Sequence, residues 1–326
     1  MNAPGLLNSL MDRLILPGAF GFTRFGYEWR KRSWDAAEYS MSGRTVVITG
    51  ATSGLGLSAA HTLARLGARV VLVGRNPDKA ERARQDILAA SGSDNVTVQL
   101  ADLGLMSEVR NLAARLLESE PAIHVLINNA AILPANRELT AEGLEQTFAT
   151  DLLSPYLLTM LLLPRLCAST PARIINVLSG GMYLSGLEAD DLEYEQGKFD
   201  GSRAYARAKR ALMVLTEQWA GKLEGSGVVV NAMHPGWADT PGVEGSLPGF
   251  YGLMRPLLRN PEQGADTMVW LASAPAAAEI SGRFFLDREP HVTTVLPGTR
   301  GNQHQRCKLS AALDEYVARS AELDSR

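Results

Sequence analysis

A single Rossmann-like α/β domain, doubly wound about a seven-stranded parallel sheet with helices on both faces, is the fold that three observations predict. Short apolar, β-branched runs alternate with helical stretches from residue 44 onward. The first run, Thr45-Val46-Val47-Ile48, leads into a glycine turn that opens a helix. The motifs with chemical character fall where such runs end, which in a doubly wound sheet is the ligand crevice.

The chain divides into an extension over residues 1–42, a dinucleotide-binding catalytic domain over 43–290 and a tail with a helix over 291–326. In the extension, Leu6, Leu7, Leu10, Met11, Leu14 and Ile15 recur at helical spacing, while Asp12 and Arg13 interrupt any export-signal core. An aromatic and basic segment follows, from Phe20, Phe22 and Phe25 through Tyr27, Trp29, Arg30, Lys31 and Arg32 to Trp34. Two readings compete. Residues 1–34 could lie in a membrane interface, or could pack on their own domain or on a second subunit of a homo-oligomer, and the packing reading is favoured.

Strands are predicted at 45–49, 68–73, 96–100, 124–128, 173–178, 228–233 and 283–286. Helices are predicted at 57–66, 77–90, 107–118, 140–166, 204–223 and 261–272. The tail carries Leu309, Leu313, Tyr316 and Val317 at helical spacing, suited to docking on the sheet or on another subunit.

Bulk properties narrow the function. Hydrophobic residues make up 46% and charged residues 21% of the 326, an ordinary soluble composition. The net charge of −3 gives no general attraction for nucleic acid. Cys167 and Cys307 form neither a disulfide framework nor a metal-ligand set, so no metal is expected and a reducing, cytoplasmic compartment fits. No stretch approaches the roughly 20 apolar residues of a membrane span.

In the turn Thr49-Gly50-Ala51-Thr52-Ser53-Gly54-Leu55-Gly56, glycines let backbone come close to a ligand, and the free N–H groups of the next helix favour a phosphate. After the second strand stand Gly74 and Arg75. An acid there would bind a ribose 2′-hydroxyl, whereas a guanidinium can grip a 2′-phosphate, which argues for NADP over NAD. Asp102, after the third strand, could accept from an adenine amino group or cap the helix near Ser107. The fourth strand ends in Asn128-Asn129-Ala130-Ala131, where asparagines can tie loops together and alanines leave room for a ribose.

Tyr205 and Lys209 stand four apart in a helical stretch and share one face. A free phenol titrates near 10, and a neighbouring ammonium brings it toward neutrality. Ser179, ending the fifth strand, could hydrogen-bond the same substrate oxygen.

Together with His234-Pro235-Gly236-Trp237-Ala238-Asp239-Thr240, these motifs resemble the classical short-chain dehydrogenase/reductase family over residues 44–287. A closer likeness is to the subgroup called dehydrogenase/reductase family member twelve, carried by Gly180-Gly181-Met182, Phe199-Asp200-Gly201, the run from Met233 to Val243 and Ser281-Gly282-Arg283-Phe284-Phe285. The resemblance implies an oxidoreductase in which Gly50, Ser53, Gly54, Leu55, Gly56, Arg75, Asp102, Leu103, Asn128 and Ala130 surround the cofactor. It also implies that Pro235, Gly236 and Thr240 lie beside the nicotinamide carboxamide. Ser179, Tyr205 and Lys209 would be catalytic, with Lys209 also holding the nicotinamide ribose.

One position departs from the family: Asp151 stands where asparagine is usual. A carboxylate there could accept from a relay water, pair with Lys209 or raise the Tyr205 pKa. Activity with an altered pH profile is the expectation, and an NADP-binding sensor with weak or no catalysis is the alternative.

Residues 186–193 form an acidic insertion expected at the solvated surface. Residues 241–260, with Leu247, Phe250, Tyr251, Leu253 and Met254, suit a mobile lid over a small apolar carbonyl or alcohol, such as a retinoid, steroid or lipid-derived ketone or aldehyde.

Overall fold

The computed structural model describes residues 20–324 apart from 36, 38 and 247. The apolar positions Leu6 to Ile15 and the lid residue Leu247 lie outside the described residues, as does the side chain of Phe250. The strands are β1 (Thr45–Thr49), β2 (Arg69–Gly74), β3 (Val96–Leu100), β4 (Val125–Asn128), β5 (Ala172–Val177), β6 (Val228–Met233), β7 (Phe284–Leu286) and β8 (Glu289–His291). Their order across the sheet is β3-β2-β1-β4-β5-β6-β7-β8, parallel up to β7. Chain order reverses between β1 and β4, which opens a crevice at their carboxyl ends.

Eight strands stand where seven were expected. The eighth pairs antiparallel with β7 through a tight turn in which Asp287 and Arg288 have φ of 53° and 63°. Two positive φ values in a two-residue loop match the right-handed strand twist. The strand has only three residues, Glu289-Pro290-His291, and its proline is tolerated because this is the sheet edge. No alternation of side chains could announce it.

Burial explains the parallel arrangement. Every residue of β1 is buried, with Val47 facing one core and Val46 and Ile48 the other. Helices Gly54–Arg65 (α1), Pro77–Ser91 (α2) and Pro261–Ser273 (α3) close one face. The other is closed by Met106–Ser119 (α4), Gln146–Ala168 (α5), Gly201–Lys222 (α6) and the tail helix Gln303–Asp324 (α7), whose Leu309 and Leu313 are fully buried. The tail thus docks on its own domain. Among the described residues α5 alone is long and apolar enough to cross a membrane, and most of it is packed inside the domain. It begins six residues later than predicted, because residues 139–145 form a bridged turn around Gly143 at φ +78°.

The acidic insertion is less solvated than expected. Glu193 is buried, where it accepts from Glu145 N at 2.9 Å and Tyr316 Oη at 2.8 Å, while Asp190 pairs with Lys308. Its carboxylates receive the tail helix. The segment 241–260 forms two short helices, Pro241–Ser246 and Pro248–Met254, with Leu253 exposed.

The N-terminal helix Arg24–Lys31 also packs on the domain, capped by Thr23 and burying Gly26 and Tyr27. It reaches the carboxyl edge of the sheet, where the site lies.

Candidate active site

The turn between β1 and α1 brings backbone segments unusually close together. Gly50 and Gly54 take φ of +64° and +53°. A Cβ on Gly50 would stand 2.9 Å from Ala130 Cα, and one on Gly56 would stand 2.5 Å from Gly50 O. Only glycine permits this closeness. Asn129 ties the turn down by donating to Thr49 O at 2.8 Å and Gly50 O at 3.2 Å, while Thr49 Oγ1 accepts from Asn129 N and Ala130 N. Ser53 is the N-cap of α1 but its side chain makes no capping bond, and Leu55 packs near Gly264. The helix N-terminus and open backbone cradle fit a pyrophosphate.

Arg75 is exposed just past β2, at the position reserved for the adenosine ribose in such folds. Asp102 accepts from Gly104 N at 2.9 Å and does not cap the following helix. That role belongs to Glu142, which accepts from Met106 N at 2.7 Å and Ser107 N at 3.0 Å from a distant loop. Sequence proximity could not reveal it. Leu103 is buried in the core. Asn128 is buried at the end of β4 and donates to Asn176 and Thr159, a tie between strand and helix.

Ser179, Tyr205, Lys209 and Asp151 converge from three elements. Ser179 caps the 3-10 turn Gly180–Leu184 by accepting from Gly181 N, and its hydroxyl acts on the Tyr205 phenol to lower its pKa. Lys209, one helical turn after Tyr205, is buried with Nζ 5.3 Å from the tyrosine ring centre. Asp151 sits in the π-helical stretch Ala149–Leu153 inside α5, the kind of local widening that recurs at functional sites. Its Oδ2 lies 3.4 Å from Lys209 Nζ and its Oδ1 accepts from Ile132 N at 2.9 Å.

Burial raises the Asp151 carboxyl to about 6, against the lowering pull of Lys209. Burial also pushes the Tyr205 phenol up, and the charge of Asp151 adds to that, while the Ser179 hydrogen bond opposes it. The expectation of a phenol brought down by lysine is therefore reversed in this arrangement. Lysine is occupied by the carboxylate.

Two arginines central to the site were not singled out in the sequence. Arg210, buried on α6, donates to Met182 O at 2.7 Å and Ser185 O at 3.2 Å, fixing the turn that carries Ser179. Arg259, also buried, donates to Pro235 O at 3.3 Å beside the Pro235–Thr240 loop. A lone arginine reads as a surface residue. Only its partners show otherwise.

A family model for short chain dehydrogenases matches residues 44–248, and the chain belongs to that family. Among curated relatives, Dehydrogenase/reductase SDR family member 12 of Bos taurus is 41% identical over 302 residues, covering 91% of this chain and 94% of that one. Retinol dehydrogenase 13 of Homo sapiens is 35% identical, with coverages of 76% and 77%. A crystal structure of an uncharacterized protein from Mycobacterium paratuberculosis superposes with a TM-score of 0.70 at 28% identity, covering 87% and 97%. A second, described as an NAD(P)-dependent gluconate 5-dehydrogenase from Beutenbergia cavernae with bound NADP, gives 0.64 at 26%, covering 77% and 97%. The protein is thus an NAD(P)-dependent oxidoreductase acting on CH–OH or C=O groups.

Proposed function

We propose that the chain is an NADP-dependent reductase or dehydrogenase of an apolar carbonyl or alcohol, and the observation that carries this is the convergence of Ser179, Tyr205 and Lys209 beside the glycine cradle. The turn Gly50 to Gly56 would hold the pyrophosphate, Arg75 the 2′-phosphate, and Pro235 to Thr240 the carboxamide end. Bound nicotinamide supplies or accepts the hydride. In reduction the Tyr205 hydroxyl gives its proton to the carbonyl oxygen, while Ser179 donates a hydrogen bond to that oxygen and holds it in place. Lys209 and Asp151 stand next to Tyr205 to return the proton. The exposed Leu184 and Leu253, on segments flanking the site in sequence, support an apolar substrate. Titration with NADPH and NADH, for the wild type and Arg75→Ala, tests this reading: NADPH should bind more tightly and lose its advantage in the variant. The sensor alternative is not favoured, since a sensor has no evident need for all three groups.

A second reading concerns location. Phe25 and Trp29, 47% and 57% exposed, share a face of the N-terminal helix, with Phe20 at 53% just before it and Arg24 and Lys31 alongside. Aromatic rings next to cations suit peripheral contact with an anionic bilayer surface.

A further inference from the structure

The N-terminal segment meets the site through one guanidinium. Arg259 is 1% exposed and is held bidentate by Asp287, 0% exposed, at 2.6 and 2.8 Å. The same guanidinium donates to Gly21 O at 2.8 Å, Thr23 O at 3.3 Å and Pro235 O at 3.3 Å. Gly236 has φ +75°, and a Cβ there would run into Arg259, so the loop lies directly on the guanidinium. Its backbone is bridged on both sides, since Arg259 N donates to Trp237 O at 2.7 Å and Asp239 N to Arg259 O at 2.8 Å. The segment adds its own ties. Trp237 N donates to Phe22 O at 2.8 Å, and Arg30 reaches Asp287 at 2.7 Å.

The ring of Phe22 lies behind the other wall. It stands 4.7 Å, edge to face, from the imidazole of His234 and 5.8 Å from the Trp237 ring. A Cβ on Gly180, the residue after Ser179, would stand 3.1 Å from His234 Nε2 and 3.6 Å from Phe22. The His234 nitrogens are buried without hydrogen-bond partners among the described residues, and burial lowers its pKa to about 3, so it serves as a neutral spacer. One short segment therefore backs both the Ser179 turn and the Pro235–Thr240 loop.

We propose that the segment Phe20–Lys31 is a working part of the active site, with Phe22 and Arg259 as positioning residues that set the loop receiving the nicotinamide end of the cofactor. This rests on the nucleotide-binding reading above. On the same reading the adenosine end lies at the Gly50 to Gly56 turn and Arg75, to which no hydrogen bond, ion pair or ring contact runs from the segment among the described residues, so only one end of the dinucleotide should feel its loosening.

The test compares NADPH with 2′-phospho-ADP-ribose, which is the same ligand without its nicotinamide, by titration of the full chain as wild type, Phe22→Ala and Arg30→Met. Arg30→Met leaves the Arg259–Asp287 pair whole, and Phe22→Leu stands in should Phe22→Ala not fold. NADPH affinity should fall about fivefold in each variant, roughly one hydrogen bond's worth, with 2′-phospho-ADP-ribose affinity unchanged. Equal weakening of both ligands, or any other pattern with both binding the wild type, overturns the inference. If neither ligand binds the wild type, the nucleotide reading itself fails and takes this one with it.

Discussion

Asp151 Oδ2 lies 3.4 Å from Lys209 Nζ, and both side chains are buried. The ammonium that could stabilise a tyrosinate is thus shared with a carboxylate that disfavours one.

Replacing Asp151 by asparagine should reshape the pH dependence of kcat. The carboxyl is raised to about 6, so in the wild type it ionises near there and its charge holds the phenol up at higher pH. Asp151→Asn removes that ionisation and lowers the phenol. In alcohol oxidation, which needs tyrosinate, the rising limb should move to lower pH and any inflection near 6 should vanish. Profiles recorded from about pH 5 to about 10 would refute this if the two proteins superimposed.

Gly56→Ala should abolish nucleotide binding while leaving the sheet intact. The new Cβ would meet Gly50 O at 2.5 Å and Asn129 Nδ2 at 2.6 Å, both rigid parts of the cradle. Isothermal titration with NADPH, beside a far-ultraviolet spectrum showing a folded chain, checks it. Undiminished binding would mean that the turn is not the phosphate site.

The buried pair Arg259–Asp287 should show strong coupling. Asp287→Leu alone strands the buried Arg259 guanidinium and should cost about 3–5 kcal/mol of stability, whereas Arg259→Met leaves Asp287 paired with Arg30 and should cost less. The double variant should be much less destabilised than the sum. Denaturant unfolding of the four proteins gives the cycle, and additive losses would show that the charges are not desolvated.

Leu313→Ala should destabilise the protein by about 2–5 kcal/mol, because the side chain is fully buried where the tail helix joins the main core. A loss below about 1 kcal/mol in denaturant unfolding would mean that the tail is only loosely attached.

Phe25→Ala and Trp29→Ala together should reduce flotation with vesicles containing phosphatidylserine, since both rings are about half exposed. Flotation equal to the wild type would remove the membrane contact from these rings.

The parallel α/β sheet was legible because parallel strands buried on both faces are nearly continuous apolar runs, and the nearness of Tyr205 to Lys209 because they stand four apart in a helical stretch. What escaped was made by distance. Glu142 caps a helix 36 residues away from its own position, and Glu193 turns a surface-looking acid into a buried acceptor for Tyr316. Asp287 escaped for another reason. Its run ends in charge, Leu286-Asp287-Arg288-Glu289, which reads as a solvated turn until two arginines from elsewhere neutralise the first of them.

Arg30 and Asp287 are 257 residues apart in the chain. Closing so long a loop carries an entropic cost that only late-forming contacts can meet. Residues 20–31 are synthesised long before their partners at His234, Trp237, Arg259 and Asp287, so their packing waits on all of them. A chain halted before Asp287 would lack the carboxylate that holds Arg30 and Arg259 together, and with it the anchor of the segment behind the Ser179 turn.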